Sequence, residues 1–501
     1  MPGPDGWLLH GWLERTVERS PSAPAIIEGE RVTSFGELFR LATSLASALT
    51  ECGVSKGDRI GLALPKTTEA VVSVFAALFA GAVYVPIDPR WPRERVTVAL
   101  EDCAARIVIE DSDGVPRIRD SRGATTISWT EALARASARP LKEPNSFDPA
   151  FILFTSGSTG RPKGVVISQR AVGAFVSWSA GQFRLGSTDR IACPAPLGFD
   201  LSTFDLFNMA LRGATCVLVP ESGIWMPRFL TRFLLDERIT CWYSVPSLLT
   251  LMLQEGGFAG RRYPDLRLVL FAGEVFPGPS LARLQAALPY ATCANLYGPT
   301  ETNVVTWYEA PSGFDPSSPP PIGKPCPYAD LKVDTATGEL LVGGDSLMCG
   351  YWGRSEETDR AVEVLEGKRY YRTGDRVSTD ANGNYVFQGR LDRQVKRRGY
   401  RIELGEIEAA FARHNAILEA AAVTHSDPEY GAVITAFVRL RPGEAMSLIE
   451  AKAHCAKLLP AYMLPDRVVP LSVMPKGSRG KIDYRVLALR AAGLGSDGHQ
   501  G

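Results

Sequence analysis

Between about residue 33 and residue 310, short apolar runs rich in β-branched side chains alternate with amphipathic stretches. Residues 151–154, 165–167, 216–219 and 268–271 read as buried strands, and residues 74–79 and 281–288 as parts of helices. This alternation predicts α/β layers on mostly parallel sheets. Residues 311–327, rich in Pro, Ser and Gly, read as a crossing between subdomains. Residues 340–342 and 385–388, each beside glycines, are expected to be short strands of a smaller β-rich unit. The longest apolar stretch, Val71 to Ile87, is interrupted by Ser73, Gly81, Tyr84 and Pro86. It predicts a buried helix followed by a strand rather than a membrane span.

The pattern restarts beyond residues 389–392. Leu404, Ile407, Ala410 and Phe411 fall at helical spacing, residues 420–424 and 433–440 read as strands, and residues 448–458 as a helix. The expected fold class is α/β. A large N-terminal domain of layered α/β subdomains with a small β-rich subdomain spans residues 1–391, and a small, mobile α+β C-terminal domain spans residues 392–501. The Gly-rich tail after Leu489 is expected to fray.

Composition narrows the function. A chain of 501 residues needs two or more cores. Its 45% hydrophobic and 22% charged content is that of an ordinary soluble globular protein. The formal net charge is zero, so no whole-chain field favours nucleic acid or an anionic membrane, and neither is expected as a partner. The first twenty residues lack a basic segment followed by an apolar core, so no signal peptide is expected. Nine scattered cysteines without a CxxC pair fit reduced thiols in a cytoplasm. No histidine lies between His10 and His414, which makes a serine-hydrolase triad or a histidine-ligated metal hard to build there.

Residues 155–164 read TSGSTGRPKG, directly after a predicted strand. Small hydroxyl side chains and glycines let backbone N–H groups approach phosphate oxygens, and Lys163 adds charge. The loop is not a Walker A sequence, because no GK[ST] follows at the required spacing. A short Ser/Gly turn alone is as often merely flexible. A ten-residue match between two strand-like segments favours phosphate.

The loop resembles the signature of the adenylate-forming superfamily of acyl-CoA synthetases, luciferases and peptide-synthetase adenylation domains. YGPTET at residues 297–302, GELLVGG at 338–344, YRTGD at 371–375, GRLDRQVKRRGYRIELGEIE at 389–408 and GKID at 480–483 follow in that family's order. Taken singly, each side chain in these segments is more often structural; the ordered set reverses that. The resemblance implies an acetyl-CoA-synthetase-like fold, with ATP and Mg2+ as cofactors. It implies that Thr155, Ser156, Gly157, Ser158, Thr159, Gly160 and Lys163 hold phosphates and that Glu301 ligates magnesium. Thr300 would hold the α-phosphate. Tyr297, beside Gly298, would stack on adenine, Asn295 would bond its amino group, and Gly273 would let backbone pass close to the base. Asp375 would accept the ribose hydroxyls, with Arg390 at the ribose–phosphate edge. Lys481 would bridge substrate carboxylate, ribose and α-phosphate as charge develops. Two positions depart from the family pattern: Gln169 stands where His is usual, and Arg479 where Asn is usual. Neither carries the chemistry.

The resemblance implies two half-reactions: acid plus ATP gives an acyl-adenylate, and a phosphopantetheine thiol then takes the acyl group. The C-terminal domain would turn between them about Asp392, with Gly399 on the thiolation face. In the family frame Asp200 pairs with the ammonium of an amino-acid substrate; a buried carboxylate needs such a cation. Asp205, the competing assignment, is expected at the surface. Asp200, Leu201, Phe204, Tyr243, Leu270, Ala272, Leu296, Val304 and Val305 would line the side-chain pocket, a small apolar bowl with one carboxylate and one phenol. The set resembles that of freestanding ligases that load L-proline onto a peptidyl carrier protein in pyrrole-forming antibiotic pathways. Alternatives are a D-alanyl–carrier-protein ligase, a ligase for another small apolar amino acid and, disfavoured by Asp200, an acyl-CoA ligase. Twenty residues follow Lys481, so the holo carrier is expected as a separate protein.

Overall fold

The computed structural model describes residues 7–111, 125–134, 144–157, 161–427, 431–477 and 481–496. The chain divides into two compact units. The first comprises Met1–Pro89, Leu100–Phe154 and Gly164–Leu391; the second comprises Arg90–Ala99, Thr155–Lys163 and Asp392–Gly501.

The first unit holds two large sheets and a small one. In the nine-stranded sheet, Thr292–Tyr297, Leu268–Ala272, Cys241–Ser244, Arg190–Cys193, Thr215–Leu218 and Pro24–Glu28 run parallel in that spatial order, with antiparallel strands at both edges. Leu268–Ala272 and Cys241–Ser244 are buried at every position, as expected where helices cover both faces. The seven-stranded sheet contains Pro149–Thr155 and Lys163–Ser168, the strands that flank the phosphate loop. Helices Thr68–Phe79 and Ser202–Arg212 are buried on nearly all sides and meet through Phe75 and Phe207, whose rings stand edge to face at 5.9 Å. Helix Ser202–Arg212 ends at Gly213, whose φ of 72° is the left-handed cap that glycine accepts most readily. The small sheet is an antiparallel array of Ala329–Val333, Glu339–Gly344, Lys368–Thr379, Val362–Leu365 and Tyr385–Arg390.

In the second unit, strands Gln394–Arg397 and Tyr400–Glu403 form a hairpin through Arg398 and Gly399. Both turn residues have positive φ, 51° and 79°, the pairing that matches strand twist. Strands Ile417–Asp427, Gly431–Leu440 and Arg467–Pro470 form a three-stranded sheet. Helix Leu448–Ala456 starts on a Ser447–Glu450 capping box.

The tail departs from expectation. It continues as helix Tyr484–Ser496 instead of fraying after Leu489. Leu487 and Ala491, one helical turn apart, are fully buried and pack with Val423, Phe437 and Met474, so one face is anchored despite the glycines. All nine cysteines are free. No helix among the described residues is long and apolar enough to cross a membrane.

Candidate active site

Strand Thr292–Tyr297 organises the site because successive side chains alternate between its faces. Leu296 pairs in register with Ala272, and Tyr243 with Leu270, so these four side chains share one face. Asn295 and Tyr297 point to the other. The Asn295 amide donates to the Pro321 carbonyl at 2.9 Å. The Tyr297 hydroxyl donates to Asp375 Oδ2 at 2.6 Å. Burial first, and the Asp375 carboxylate second, push the Tyr297 phenol well above its ordinary pKa. Asp375 is 1% exposed, and its Oδ1 is ion-paired with Arg390, its cross-strand neighbour. Each carboxylate oxygen keeps a second lone pair for an incoming donor. The Tyr297 ring is itself almost buried, among Val305, Ile322, Leu340 and Val342.

The loop after this strand is tight. A Cβ on Gly298 would lie 1.6 Å from the Asn303 carbonyl oxygen, so only glycine fits. Asn303 donates to the Thr203 hydroxyl at 3.2 Å and ties the loop to helix Ser202–Arg212. Thr300 is half-buried, and Glu301 is fully buried with its Oε1 accepting from the Tyr351 hydroxyl at 2.8 Å. Gly273 follows strand Leu268–Ala272 with a φ of 91°.

Thr155 ends strand Pro149–Thr155 and Lys163 opens strand Lys163–Ser168. Between them, Ser156 donates to the Arg401 carbonyl at 2.7 Å, and the Gly157 N–H donates to Glu406 Oε1 at 2.8 Å. Glu406 pairs with Arg95 at 3.1 Å, and both are nearly inaccessible. The oxygen on this amide is thus a carboxylate, the same charge type as a phosphate oxygen. Ser158, Thr159 and Gly160 lie outside the described residues.

Around the predicted amino-acid pocket, Leu201, Phe204, Tyr243, Leu270, Ala272, Leu296 and Val304 are all buried in one core cluster. Phe204 meets Tyr243 edge to face at 5.3 Å. Val305 is not brought in with them; it packs with Tyr297 under the small sheet. Asp200 is half-buried, in the turn before helix Ser202–Arg212. Its charge is nevertheless felt at the pocket: burial, then the Asp200 and Asp205 carboxylates, raise the Tyr243 phenol well above its usual pKa.

Asp205 is a correction. It is not a surface residue but fully buried, and neither carboxylate oxygen has a hydrogen-bond partner. Helix Ser202–Arg212 is covered all round, so a polar side chain on it has no outward face to occupy.

In the second unit, Lys481 is exposed beside a bridge between Lys476 and Ile482, and its carbonyl accepts from the Gly477 N–H at 2.8 Å. Asp392 is exposed and accepts from the Gln394 N–H at 3.1 Å.

Comparison with known proteins matches the AMP-binding enzyme family over residues 13–352 and the AMP-binding enzyme C-terminal domain over residues 406–481. The chain belongs to the AMP-binding enzyme family. It is 37% identical to the L-proline--[L-prolyl-carrier protein] ligase of Streptomyces coelicolor, over 95% of each chain. It is 36% identical to the protein of that name from Pseudomonas fluorescens, over 97% of this chain and all of the other. Among solved structures, IdnL1 superposes with a TM-score of 0.81 at 31% identity, over 94% of this chain and 99% of that one.

Three contacts of this AMP-binding enzyme were not legible in its motifs, although Glu406 itself lies in the 389–408 segment. Lys66 is buried and donates to the Cys193 and Pro194 carbonyls at 2.6 and 2.9 Å, holding the chain that leads to Asp200. Glu406 and Arg95 meet at the phosphate loop. Tyr328, which donates to the Val304 carbonyl at 2.7 Å, backs the pocket with Trp178. No motif marks Lys66, Arg95 or Tyr328, and the motif that holds Glu406 does not announce its partners. Among the described residues, no group of three or more His, Cys, Asp or Glu gathers to hold a metal. A single oriented carboxylate still fits Mg2+, which is usually held by one or two carboxylates together with substrate phosphates.

Proposed function

We propose that this AMP-binding enzyme activates L-proline with ATP and passes the prolyl group to the phosphopantetheine thiol of a separate peptidyl carrier protein. The observation that carries the reading is the apolar floor of Leu270, Ala272, Leu296 and Phe204, with the Asp200 charge acting on the phenol of Tyr243. A compact apolar amino acid meets that lining without leaving a polar side chain unpaired, and its ammonium meets Asp200. Full-length identity to two prolyl ligases supports proline among such substrates.

The nucleotide lies on the other face of strand Thr292–Tyr297. Asn295 offers its carbonyl oxygen to the adenine amine, and Tyr297 packs beside the base. Asp375, held by Arg390 and Tyr297, accepts from the ribose hydroxyls. The Gly157 N–H, which donates to Glu406, exchanges one anionic oxygen for another when a phosphate arrives. Mg2+, when bound, supplies charge neutralisation across the phosphates, with Glu301 as its protein oxygen and Thr300 beside the α-phosphate. In the first step a proline carboxylate oxygen bonds to the α-phosphorus and pyrophosphate leaves, while Lys481 offsets the developing charge. In the second step the thiol sulfur bonds to the acyl carbon and AMP leaves. Residues 392–501 turn about Asp392 between the steps, and Gly399 faces the thiol.

An ATP–pyrophosphate exchange panel over the twenty amino acids and D-alanine tests the reading. L-proline should exchange fastest, and Asp200→Ala should abolish exchange while far-UV circular dichroism is unchanged. Faster exchange with D-alanine or another amino acid would show the substrate to be wrong while leaving adenylation standing.

A further inference from the structure

Residues described on either side of Lys481 are fastened to the rest of the second unit. Before it, Lys476 pairs at 2.8 Å with Glu419 on strand Ile417–Asp427, and Glu419 pairs at 3.0 Å with Arg439 on the neighbouring strand. The Asp483 N–H donates to the Pro475 carbonyl at 2.8 Å.

After it, Tyr484 opens the last helix, three residues beyond Lys481. The Arg393 guanidinium carbon lies 3.4 Å from the centre of the Tyr484 ring. That is close contact of a cation with the electron-rich face. Arg393 Nη2 donates to Glu408 Oε1 at 2.6 Å and to the Ala422 carbonyl at 2.7 Å. Glu408 Oε1 also accepts from the Ala422 N–H at 2.8 Å. The stack therefore runs from the residue next to Asp392, through helix Leu404–Ala412 and strand Ile417–Asp427, to the segment bearing Lys481.

We infer that Arg393, Glu408 and Tyr484 form a positioning clamp that fixes residues 481–484 against the residue that follows Asp392, and so governs adenylation without governing thiol transfer. The inference rests on the reading of Lys481 as the adenylation lysine. The clamp is half-exposed, with 38% of the Arg393 side chain and 18% of Glu408 accessible. Ion pairs this wet add little to stability. Their geometry matters more than their strength: an ammonium must meet three partners at once, and a displacement of about 1 Å can cost on the order of 100-fold in rate.

The test uses the full chain carrying Tyr484→Ala, Arg393→Ala or Tyr484→Phe, with Lys481→Ala in parallel. Pyrophosphate exchange reads adenylation; single-turnover transfer from supplied prolyl-AMP to pantetheine reads the second step; thermal unfolding reads structure. Tyr484→Ala and Arg393→Ala should lower exchange kcat about tenfold or more, with KM for ATP and proline within about twofold. Transfer and unfolding midpoint should hold. Tyr484→Phe, which keeps the ring, should restore exchange. Equal losses in both half-reactions, or unimpaired exchange in Tyr484→Ala, overturn the clamp. If Lys481→Ala itself exchanges normally, the assignment of Lys481 fails first and the clamp with it.

Discussion

Asp205→Asn separates the two carboxylates of the GFDLSTFD segment. Asp205 is wholly buried with both oxygens unpartnered. Burial, reinforced by the Cys193 thiol and opposed by Lys66, holds its carboxyl well above the ordinary carboxylate range. The folded chain therefore keeps a proton that the unfolded chain releases. Folded protein binds more protons, so stability falls as pH rises above about 4, by up to about 1.4 kcal/mol per pH unit until the folded-state pKa is passed. Asn has nearly the same shape and no proton to lose. Urea unfolding followed by tryptophan fluorescence, at pH 5, 6 and 7, should give a shallower pH dependence for the variant and at least equal stability at pH 7. Proline exchange should stay within about twofold, in contrast to its loss in Asp200→Ala, because no pocket-lining side chain is removed. A loss of about 3–5 kcal/mol at pH 7 would refute this reasoning, since that is the signature of breaking a buried ion pair. Asp205 would then be ionised, with Lys66 as its counter-ion.

Two further outcomes follow from burial. His10 packs edge-on against Phe79 at 5.1 Å, and burial lowers its pKa from 6.5 to about 4. Folding thus favours the neutral ring, and about 3 kcal/mol of stability, complete above pH 6.5, should be lost as pH falls from 6.5 to about 4. His10→Phe should flatten that slope in a pH series of unfolding curves. Phe204→Ala removes a fully buried ring and should cost about 3–5 kcal/mol by urea unfolding. The same variant should raise exchange with leucine relative to proline at least about tenfold, since a methylene's worth of pocket is worth about 1–3 kcal/mol. An unchanged leucine-to-proline ratio would remove Phe204 from the pocket wall.

The parallel strands were legible because fully covered strands leave unbroken apolar runs, as Leu268–Ala272 does. The ordered motifs placed Asn295, Tyr297 and Asp375 on one framework, but not the hydrogen bond that joins Tyr297 to Asp375. That bond joins residues 78 apart in sequence, and no local pattern encodes it. Asp205 was misread because a helix buried on every side shows no polar stripe against which an inward carboxylate stands out. Lys66 lies in an ordinary-looking ALPKTTE segment; its burial arises from carbonyls more than 120 residues away, 127 and 128 in sequence. The tail was misread for the opposite reason. Glycine content spoke for disorder, while two small apolar residues a turn apart were enough to dock the helix.

The alternation along Thr292–Tyr297 has an evolutionary corollary. Under the proposed function, odd positions serve the nucleotide while even positions, in register with Ala272 and Leu270, meet the acid. Drift at Leu296, Ala272, Leu270 and Tyr243 can therefore explore new acids without eroding the ATP machinery, because the pleat insulates one selective pressure from the other. A strand with period two makes substrate choice a separable trait, open to recombination or laboratory libraries while the energy-coupling half of the catalyst stays untouched.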